Sequence, residues 1–243
     1  MMPQKITTIA IVLSAGQGKR MNSATAKQYL LLKEKPILYY SLKAFQDSCI
    51  DHIILVTGAA DKEYVQKEIV EKYGFTKVCC IEEGGKETYH SVYNGLQAAK
   101  AYGEGESYTF IHDGARPFVT GKIIETALAC VQREQACVVG MPVKDTIKIA
   151  DEEGYAASTP KRSLVWTIQT PQVFALPLIS DAYQKLIDGE EELLGKGIFV
   201  TDDASVVELF TDKKVKFVQG SYENIKITTP EDLDVAEIFL QKC

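Results

Sequence analysis

The chain has 243 residues, 46% of them hydrophobic, and a formal net charge of −6 at pH 7. This length and apolar content predict one globular domain spanning residues 1–243, with enough apolar side chains for a sizeable core. The negative charge argues against a general nucleic-acid-binding surface. No apolar run is long enough to span a bilayer.

The cysteines and histidines show no metal-binding spacing. None of the six cysteines forms a Cys-x-x-Cys pair, and the three histidines are scattered along the chain. This pattern is typical of free thiols in a reducing compartment, and it disfavours a protein-caged transition metal. The first predicted strand leads directly into a glycine-rich loop, so we expect no signal peptide and a cytoplasmic location.

Short apolar strands alternate with amphipathic helices through the first 141 residues. The predicted strands cover residues 6–12, 52–56, 77–81, 108–112 and 136–141. The predicted helices between them cover residues 61–73, 91–102 and 121–133. This alternation is typical of a mostly parallel sheet with helices on both faces, so we predict a Rossmann-like α/β fold.

The alternation breaks after Pro142. Residues 143–172 contain two β-prone pieces, 146–149 and 163–168, on either side of a polar turn. They predict an extended β-hairpin arm. Because an isolated hairpin is only marginally stable in water, we expect this arm to pack on another surface, and a second subunit is the natural candidate.

Regular elements resume after the arm. Helical patterns cover residues 176–188 and 202–210, and a strand covers residues 215–218. Thr229, Pro230 and two acidic residues then form a typical helix start. The whole chain therefore predicts an α/β sheet with one excursion.

Residues 13–21, with the sequence Leu-Ser-Ala-Gly-Gln-Gly-Lys-Arg-Met, follow the first strand directly. Small residues allow the backbone to approach a ligand closely, and successive N–H groups can form a concavity for an anion. Lys19, Arg20 and the nearby Lys27 add positive charge. The segment is a candidate phosphate site.

The glycine spacing excludes a P-loop and is a poor match to a dinucleotide-binding loop. One residue, Gln17, separates Gly16 from Gly18, whereas a P-loop has four residues between its glycines. Met21 stands where a dinucleotide fingerprint requires a third glycine. Two interpretations remain: a nucleotidyltransferase loop around a triphosphate, or an ordinary glycine-rich turn with solvated lysines.

Two further candidate segments also follow predicted strands. Gly84-Gly85 comes after the third strand, and Asp113 comes after the fourth. The carboxyl ends of parallel strands meet at one edge of a sheet, where ligands bind in α/β folds. We therefore expect these segments and the glycine-rich loop to form one site.

Five segments together resemble the 2-C-methyl-D-erythritol 4-phosphate cytidylyltransferase family, in the right order over nearly the whole chain. These segments are residues 13–21 with 27–29, 84–85 with 91–92, 112–117, 170–172 with 201–204, and 224–228. The resemblance implies that the phosphate of methylerythritol phosphate attacks the α-phosphate of CTP and that diphosphate leaves. It also implies a Mg²⁺ cofactor, bound mainly by the nucleotide phosphates, and a homodimer formed through the arm.

The resemblance also implies a role for each matching residue. The implied catalytic residues are Lys27, Lys226, Arg20 and Asp113, with Asp113 also as the metal-side carboxylate. The implied CTP-binding residues are Ser14, Ala15, Gly16, Gly18, Lys19, Gly84, Gly85, Ser91 and Gly114. The implied acceptor-binding residues are Arg116, Thr146, Arg162, Thr170 and Thr201, with Arg162 on the arm reaching the partner's site.

This chain departs from the family pattern around the predicted cytosine site. Lys86 stands where an acidic residue is common, Thr88 where many relatives have arginine, and His90 where aspartate is common. Gly114 replaces a more usual alanine. These departures leave the phosphate-handling cations in place.

Two other functions are compatible with parts of this pattern. A ribitol-5-phosphate cytidylyltransferase shares the fold and most of the CTP site, but Ala15 and the pair Gly114-Ala115 favour the erythritol enzyme. A non-catalytic nucleotide-binding protein would not require Lys27, Asp113 and Lys226 together.

Overall fold

The computed structural model describes residues 6–16, 26–103 and 105–241. The strands are β1 (Ile6–Ser14), β2 (Leu31–Leu32), β3 (Lys35–Pro36), β4 (His52–Thr57), β5 (Val78–Glu83), β6 (Glu106–Asp113), β7 (Ala136–Pro142), β8 (Ile149–Ala150), β9 (Ala156–Ser158), β10 (Trp166–Ala175) and β11 (Lys216–Gln219). The helices are α1 (Ile37–Gln46), α2 (Lys62–Tyr64), α3 (Thr88–Ala99), α4 (Gly121–Glu134), α5 (Leu176–Asp188), α6 (Glu190–Gly195), α7 (Asp203–Phe210) and α8 (Pro230–Leu240). Within these described ranges, no helix has the length and apolar character needed to cross a membrane.

A seven-stranded sheet forms the centre of the molecule, in the order β11-β7-β10-β6-β1-β4-β5. Its strands run parallel except β10, which is antiparallel to both neighbours. The predicted Rossmann-like, mostly parallel α/β fold is confirmed. The register aligns Leu13 of β1 with Asp113 of β6 and Val56 of β4, so these strands end at the same level.

The core lies on both faces of the sheet, because successive side chains of β1 point to opposite sides. Ala10 and Val12 pack with side chains of α1 and α4 on one face. Ile9 and Ile11 pack with side chains of α3 and α5 on the other. All four residues are fully buried. A strand covered on both faces explains the continuous apolar run in the sequence.

The helix predicted over residues 61–73 is present with altered geometry. The helix α2 continues directly into a π-helical segment, Val65–Glu71. Val65, Ile69 and Val70 are the buried residues of that segment. In a π-turn the backbone hydrogen bond joins residues i and i+5, so Val70 lies on the same buried face of the helix as Val65 and Ile69.

The arm is shorter than the predicted residues 143–172. Residues 166–175 form β10, which lies between β6 and β7 in the central sheet. Val173 and Phe174 are fully buried on opposite faces, which fixes this strand in the core. The segment outside the sheet covers residues 143–165 and contains the short antiparallel pair β8–β9. The arm prediction was therefore wrong at its C-terminal end.

Candidate active site

A cleft with two lobes lies at the carboxyl ends of the parallel strands. Lobe A has a volume of about 460 Å³ and is lined by the residues after β1, by Lys27 and by residues 85–88. Lobe B has a volume of about 580 Å³ and is lined by residues of β6, β10 and the start of α7. The two lobes share Leu13, Thr88, Asp113 and Lys226. The two lobes therefore meet at these four residues, which form the junction of the cleft.

Asp113 is held at the junction by two cations. Lys226 Nζ lies 2.8 Å from Asp113 Oδ1, and Arg116 Nε lies 3.1 Å from Asp113 Oδ2. Burial alone raises the pKa of this carboxyl group, but the Lys226 ammonium and the Arg116 guanidinium outweigh burial and lower the pKa to about 2. Asp113 is therefore ionised at neutral pH, and each of its oxygens faces a cation.

A buried histidine fixes the backbone around Asp113. The Thr170 hydroxyl accepts the Asp113 N–H at 3.0 Å and lies 3.0 Å from His112 Nδ1. His112 Nε2 lies 3.2 Å from the Arg116 carbonyl oxygen, which can only accept. Burial lowers the pKa of His112 to about 4, so the ring is neutral. We assign its proton to Nε2, and Thr170 then donates to Nδ1.

Asn224 holds Arg116 and Thr170 together. The Arg116 guanidinium donates to the Asn224 carbonyl at 2.9 Å. The Asn224 side-chain amide donates to the Thr170 carbonyl, also at 2.9 Å, and the residue is fully buried. No sequence motif of their own predicts a role for His112 or Asn224. Their only sequence signal is that they lie inside the segments that resemble the family.

A short 3₁₀ turn, Lys27–Tyr29, forms one wall of lobe A. Lys27 Nζ donates to the Ile227 carbonyl at 3.1 Å, and Gln28 Nε2 donates to the Ser14 carbonyl at 2.5 Å. These bonds connect the end of β1 with the segment that carries Lys226. Lys27 and Lys226 therefore line the same lobe from different parts of the chain.

The two adjacent glycines are required by close packing. A Cβ atom on Gly84 would lie 2.3 Å from the Ala15 Cβ, and one on Gly85 would lie 2.2 Å from the His90 Cβ. The Gly85 N–H donates to Ser91 Oγ at 3.0 Å. Both side-chain positions are too crowded for any larger residue. The glycines thus let the loop after β5 pack against the end of β1.

Gly114 supports the floor of the cleft from behind and lines neither lobe. Its N–H donates to the Leu13 carbonyl at 2.8 Å. A Cβ here would lie 2.9 Å from both that carbonyl oxygen and Leu38 Cδ1. This contact gives a physical reason for glycine at a position where the family pattern has alanine.

The structure brings most of the predicted residues into the cleft. Lobe A is lined by Ser14, Ala15, Gly16, Lys27, Gly85, Ser91, Asp113 and Lys226. Lobe B is lined by Asp113, Arg116, Thr170, Thr201 and Lys226. Gly84 packs behind lobe A. Gly18, Lys19 and Arg20 lie outside the described residues.

Thr146 and Arg162 do not line either lobe of this chain. Both are exposed on the arm, and the Arg162 guanidinium donates to the Lys144 carbonyl at 3.3 Å. Neither side chain therefore takes part in the cleft of this chain.

Lobe B also contains Asp203, an acidic residue for which the sequence predicts no role. The Tyr183 hydroxyl donates to Asp203 Oδ1 at 2.5 Å, and both residues are buried. Burial is the main cause that raises the pKa of Asp203 to about 7. Next to it, Gln172 Nε2 donates to Asp202 Oδ2 at 3.0 Å. The floor of lobe B is therefore polar but only partly charged.

The donor set is compatible with a metal ion bound beside nucleotide phosphates. Within residues 6–16, 26–103 and 105–241, no group of three or more His, Cys, Asp or Glu residues could hold a metal. Mg²⁺ typically takes one or two carboxylates and completes its coordination with substrate phosphates and water. Asp113, ionised and at the junction, fits the carboxylate part of such a site.

Comparisons with known proteins identify the family of this chain. The sequence matches the family model for 2-C-methyl-D-erythritol 4-phosphate cytidylyltransferase over residues 8–242. It is 48% identical over 239 residues to the protein of that name from Lachnoclostridium phytofermentans, covering 98% of this chain and 97% of that protein. It is 50% identical over 233 residues to the Lachnospira eligens protein of the same name, covering 96% of this chain and 98% of that protein.

A solved structure shows the same fold. The 4-diphosphocytidyl-2C-methyl-D-erythritol synthase from Anaerococcus prevotii superposes with a TM-score of 0.80 and 34% sequence identity. The superposition covers 97% of this chain and 96% of that one. The family resemblance inferred from the sequence is confirmed, and the chain belongs to the 2-C-methyl-D-erythritol 4-phosphate cytidylyltransferase family of nucleotidyltransferases.

Proposed function

We propose that the protein transfers the CMP group from CTP to 2-C-methyl-D-erythritol 4-phosphate in isoprenoid precursor biosynthesis. The observation that carries this proposal is the pair of lobes that meet at Asp113 and Lys226. Lobe A takes CTP, with its α-phosphate at the junction. Lobe B takes the acceptor, with its phosphate directed towards the same point.

The reaction needs cations more than it needs a base. An oxygen of the acceptor phosphate forms a bond to the α-phosphorus, the bond to the bridging oxygen breaks, and diphosphate leaves. The attacking phosphate is already ionised at neutral pH, so no proton has to be removed. The barrier comes from bringing two anions together, and fixed cations at the α-phosphate lower it. Lys27 and Lys226 line lobe A and supply this charge.

The residues of lobe B suit a phosphorylated polyol. The Arg116 guanidinium has a planar set of donors that matches phosphate geometry. Thr170 and Thr201 add hydroxyl groups. Asp113 holds Arg116 and Lys226 in place, so that both cations face the junction. Arg20 and the glycine-rich loop are assigned to the outer phosphates of CTP on the family pattern.

A divalent cation, Mg²⁺, is the proposed cofactor. Asp113 would supply its protein ligand and the CTP phosphates the remainder. When bound, the ion neutralises part of the phosphate charge.

The proposed assembly is a homodimer formed through the arm. Its apolar side chains are exposed: Ile149 by 53%, Tyr155 by 69% and Leu164 by 75%. Exposed apolar side chains gathered on one protruding segment are compatible with an interaction surface. In the dimer, Thr146 and Arg162 reach lobe B of the partner and contact its acceptor phosphate. Two subunits would then complete each site.

We also place the enzyme in the cytoplasm. The five described cysteines are free thiols, with Cys130 and Cys137 buried in the core. Buried free thiols are compatible with a reducing compartment.

A substrate panel tests the proposed reaction. The purified protein is incubated with Mg²⁺, CTP and either 2-C-methyl-D-erythritol 4-phosphate or ribitol 5-phosphate, and diphosphate release is measured. UTP and ATP replace CTP as nucleotide controls. We expect release with CTP and the erythritol phosphate. Release with ribitol 5-phosphate but not with the erythritol phosphate would overturn the proposal in favour of the other polyol.

A further inference from the structure

The segment of residues 84–90, which comprises the loop after β5 and the first three residues of α3, separates the two lobes and is called the border loop. Residues 85–88 line lobe A, whereas Thr88 and Tyr89 line lobe B. The inner side of the border loop is fixed by backbone groups: the Gly84 N–H donates to the Thr57 carbonyl at 2.8 Å, and the Gly85 N–H donates to Ser91 Oγ at 3.0 Å. The outer side faces α6.

Glu190, the first residue of α6, contacts the outer side of the border loop through both of its carboxylate oxygens. The Tyr89 hydroxyl donates to Oε1 at 2.5 Å, and His90 Nε2 lies 3.2 Å from Oε2. The side chains of His90 and Glu190 are only 24% and 28% exposed. These contacts connect residues about 100 positions apart in the sequence.

The hydrogen-bond pattern favours a carboxylate at this position. His90 Nδ1 accepts the Glu87 N–H at 3.3 Å, so the neutral ring carries its proton on Nε2 and donates to Glu190. Tyr89 also donates. A glutamate accepts one bond on each oxygen, and its charge strengthens both bonds. A glutamine could accept from His90 and pair with Tyr89 only by donating to the phenol oxygen, so both bonds would lose that charge.

Glu190 also connects the border loop to the wall of lobe B. Helix α6 leads into residues 198–202, and Val200, Thr201 and Asp202 of this segment line lobe B. The aspartate that is common in the family at the position of His90 would have no N–H to donate, so this link is particular to chains with a donor there.

We propose that Glu190 is a positioning residue for the CTP site, which holds the border loop in place through Tyr89 and His90. This inference rests on the proposed function, because it assumes that lobe A takes CTP. Glu190 lines neither lobe and does not touch the reacting groups. Its loss should therefore weaken CTP binding while leaving the junction of Asp113 and Lys226 intact.

The expected effect follows from the bonds lost. A hydrogen bond to a charged group that is partly shielded from water contributes about one power of ten to an equilibrium constant. Glu190→Gln should raise the KM for CTP about tenfold and change kcat less than threefold. Glu191→Gln is the matched control, because Glu191 lies on the same helix, is exposed, and carries the same charge. It should leave both parameters unchanged.

A double-mutant cycle separates positioning from general destabilisation. Tyr89→Phe should raise the KM for CTP in the wild-type background and have no further effect in the Glu190→Ala background, since the partner is already gone. Additive effects of the two changes, or a Glu190→Gln variant that behaves like Glu191→Gln, would overturn the proposal.

Direct binding keeps this inference distinguishable from the proposed reaction. The dissociation constant for CTP, measured by calorimetry without any acceptor, should rise about tenfold in Glu190→Gln, and thermal melting should confirm that the variant is folded. If wild type binds CTP but does not turn over the erythritol phosphate, the proposed function fails while this inference is still tested by the calorimetry. An unchanged dissociation constant in the folded variant would overturn the positioning role.

Discussion

Lys226 Nζ donates to Asp113 Oδ1 at 2.8 Å, although the two residues are 113 positions apart in the sequence. Asp113 ends β6, and Lys226 lies in the segment just before α8. The contact brings a cation to the shared edge of the two lobes, and together with Arg116 it holds the pKa of the Asp113 carboxyl group below its ordinary value.

The first prediction concerns the cation at the junction. Lys226→Ala should lower kcat about 100- to 1000-fold, because it removes a fixed charge that stabilises the transition state, as the loss of one oxyanion-hole donor does. Diphosphate release measures the effect. Lys214→Ala, at an exposed lysine ahead of β11, is the control and should retain full activity. Equal activities of the two variants would contradict a catalytic role for Lys226.

The second prediction concerns the acid stability of the fold. The pKa of Asp113 is about 2 in the folded chain, below its ordinary value of 3.8. The folded state therefore binds fewer protons, so the contribution of Asp113 to stability is present above pH 4 and is lost as the pH falls towards 2. This contribution is about 2 kcal/mol.

Denaturant unfolding of wild type and Asp113→Asn at pH 7 and pH 3 measures this term. We expect the difference in unfolding free energy between the two proteins to shrink as the pH falls. A constant difference would show that the ion pairs of Asp113 do not lower its pKa.

The third prediction also concerns the pH dependence of stability, but here stability falls as the pH rises. Burial is the main cause that raises the pKa of Asp203 from 3.8 to about 7. The folded state binds the extra proton, so this residue lowers stability as the pH rises from about 4 to 7. Asp203→Asn keeps an acceptor for the Tyr183 hydroxyl and removes the charge. Relative to wild type, this variant should gain on the order of 3 kcal/mol in unfolding free energy between pH 4 and pH 8. A gain that is the same at both pH values would refute the prediction.

The fourth prediction concerns the contact between Gly84 and Ala15. Gly84→Ala should destabilise the protein by about 1–3 kcal/mol, the usual cost of overpacking, and weaken CTP binding. Ala15→Gly removes the atom that lies 2.3 Å from the added Cβ, so the double variant should recover most of the loss.

Thermal melting and CTP calorimetry provide the measurements for this pair. Gly121→Ala is the matched control, because a Cβ at Gly121 meets nothing within 4 Å. If the double variant were no more stable than Gly84→Ala alone, the steric explanation would be wrong.

The fifth prediction tests whether the arm completes the partner's site. Lys226→Ala and Arg162→Ala should each be nearly inactive alone. After mixing and subunit exchange, a mixed dimer contains one site with neither substitution, so activity should return. Failure to recover activity, with exchange verified by a tagged subunit, would rule out sharing of Arg162 between subunits.

Local sequence patterns were sufficient to predict most of the strands and helices. Apolar β-branched runs such as residues 6–12 identify strands that are buried on both faces, and the helices between them follow their own periodicity. The end of the arm was misplaced because residues 163–168 are β-prone in either setting. The pairing of Gln172 with Ile111 and Val138 decides that β10 enters the sheet, and no local pattern encodes such long-range partners.

The site was predictable to the extent that its residues lie in the segments that resemble the family. Asp113 and Lys226 were identified in this way and lie together in the structure. His112 and Asn224 were not assigned, because their roles depend on contacts with Thr170, 58 and 54 positions away. Glu190 lies outside the family segments, and only its contacts with Tyr89 and His90 in the folded chain indicate a role.

The antiparallel strand β10 gives the arm a rigid root. Its N-terminal half pairs with β7, its C-terminal half pairs with both β6 and β7, and between these parts lie Gln169 and Thr170 of lobe B. Amide protons of residues 172–174 should exchange with solvent only when the whole sheet opens, whereas those of β8 and β9 should exchange through local fluctuations. A displacement of the arm would therefore reach Gln169 and Thr170 of lobe B along one continuous strand.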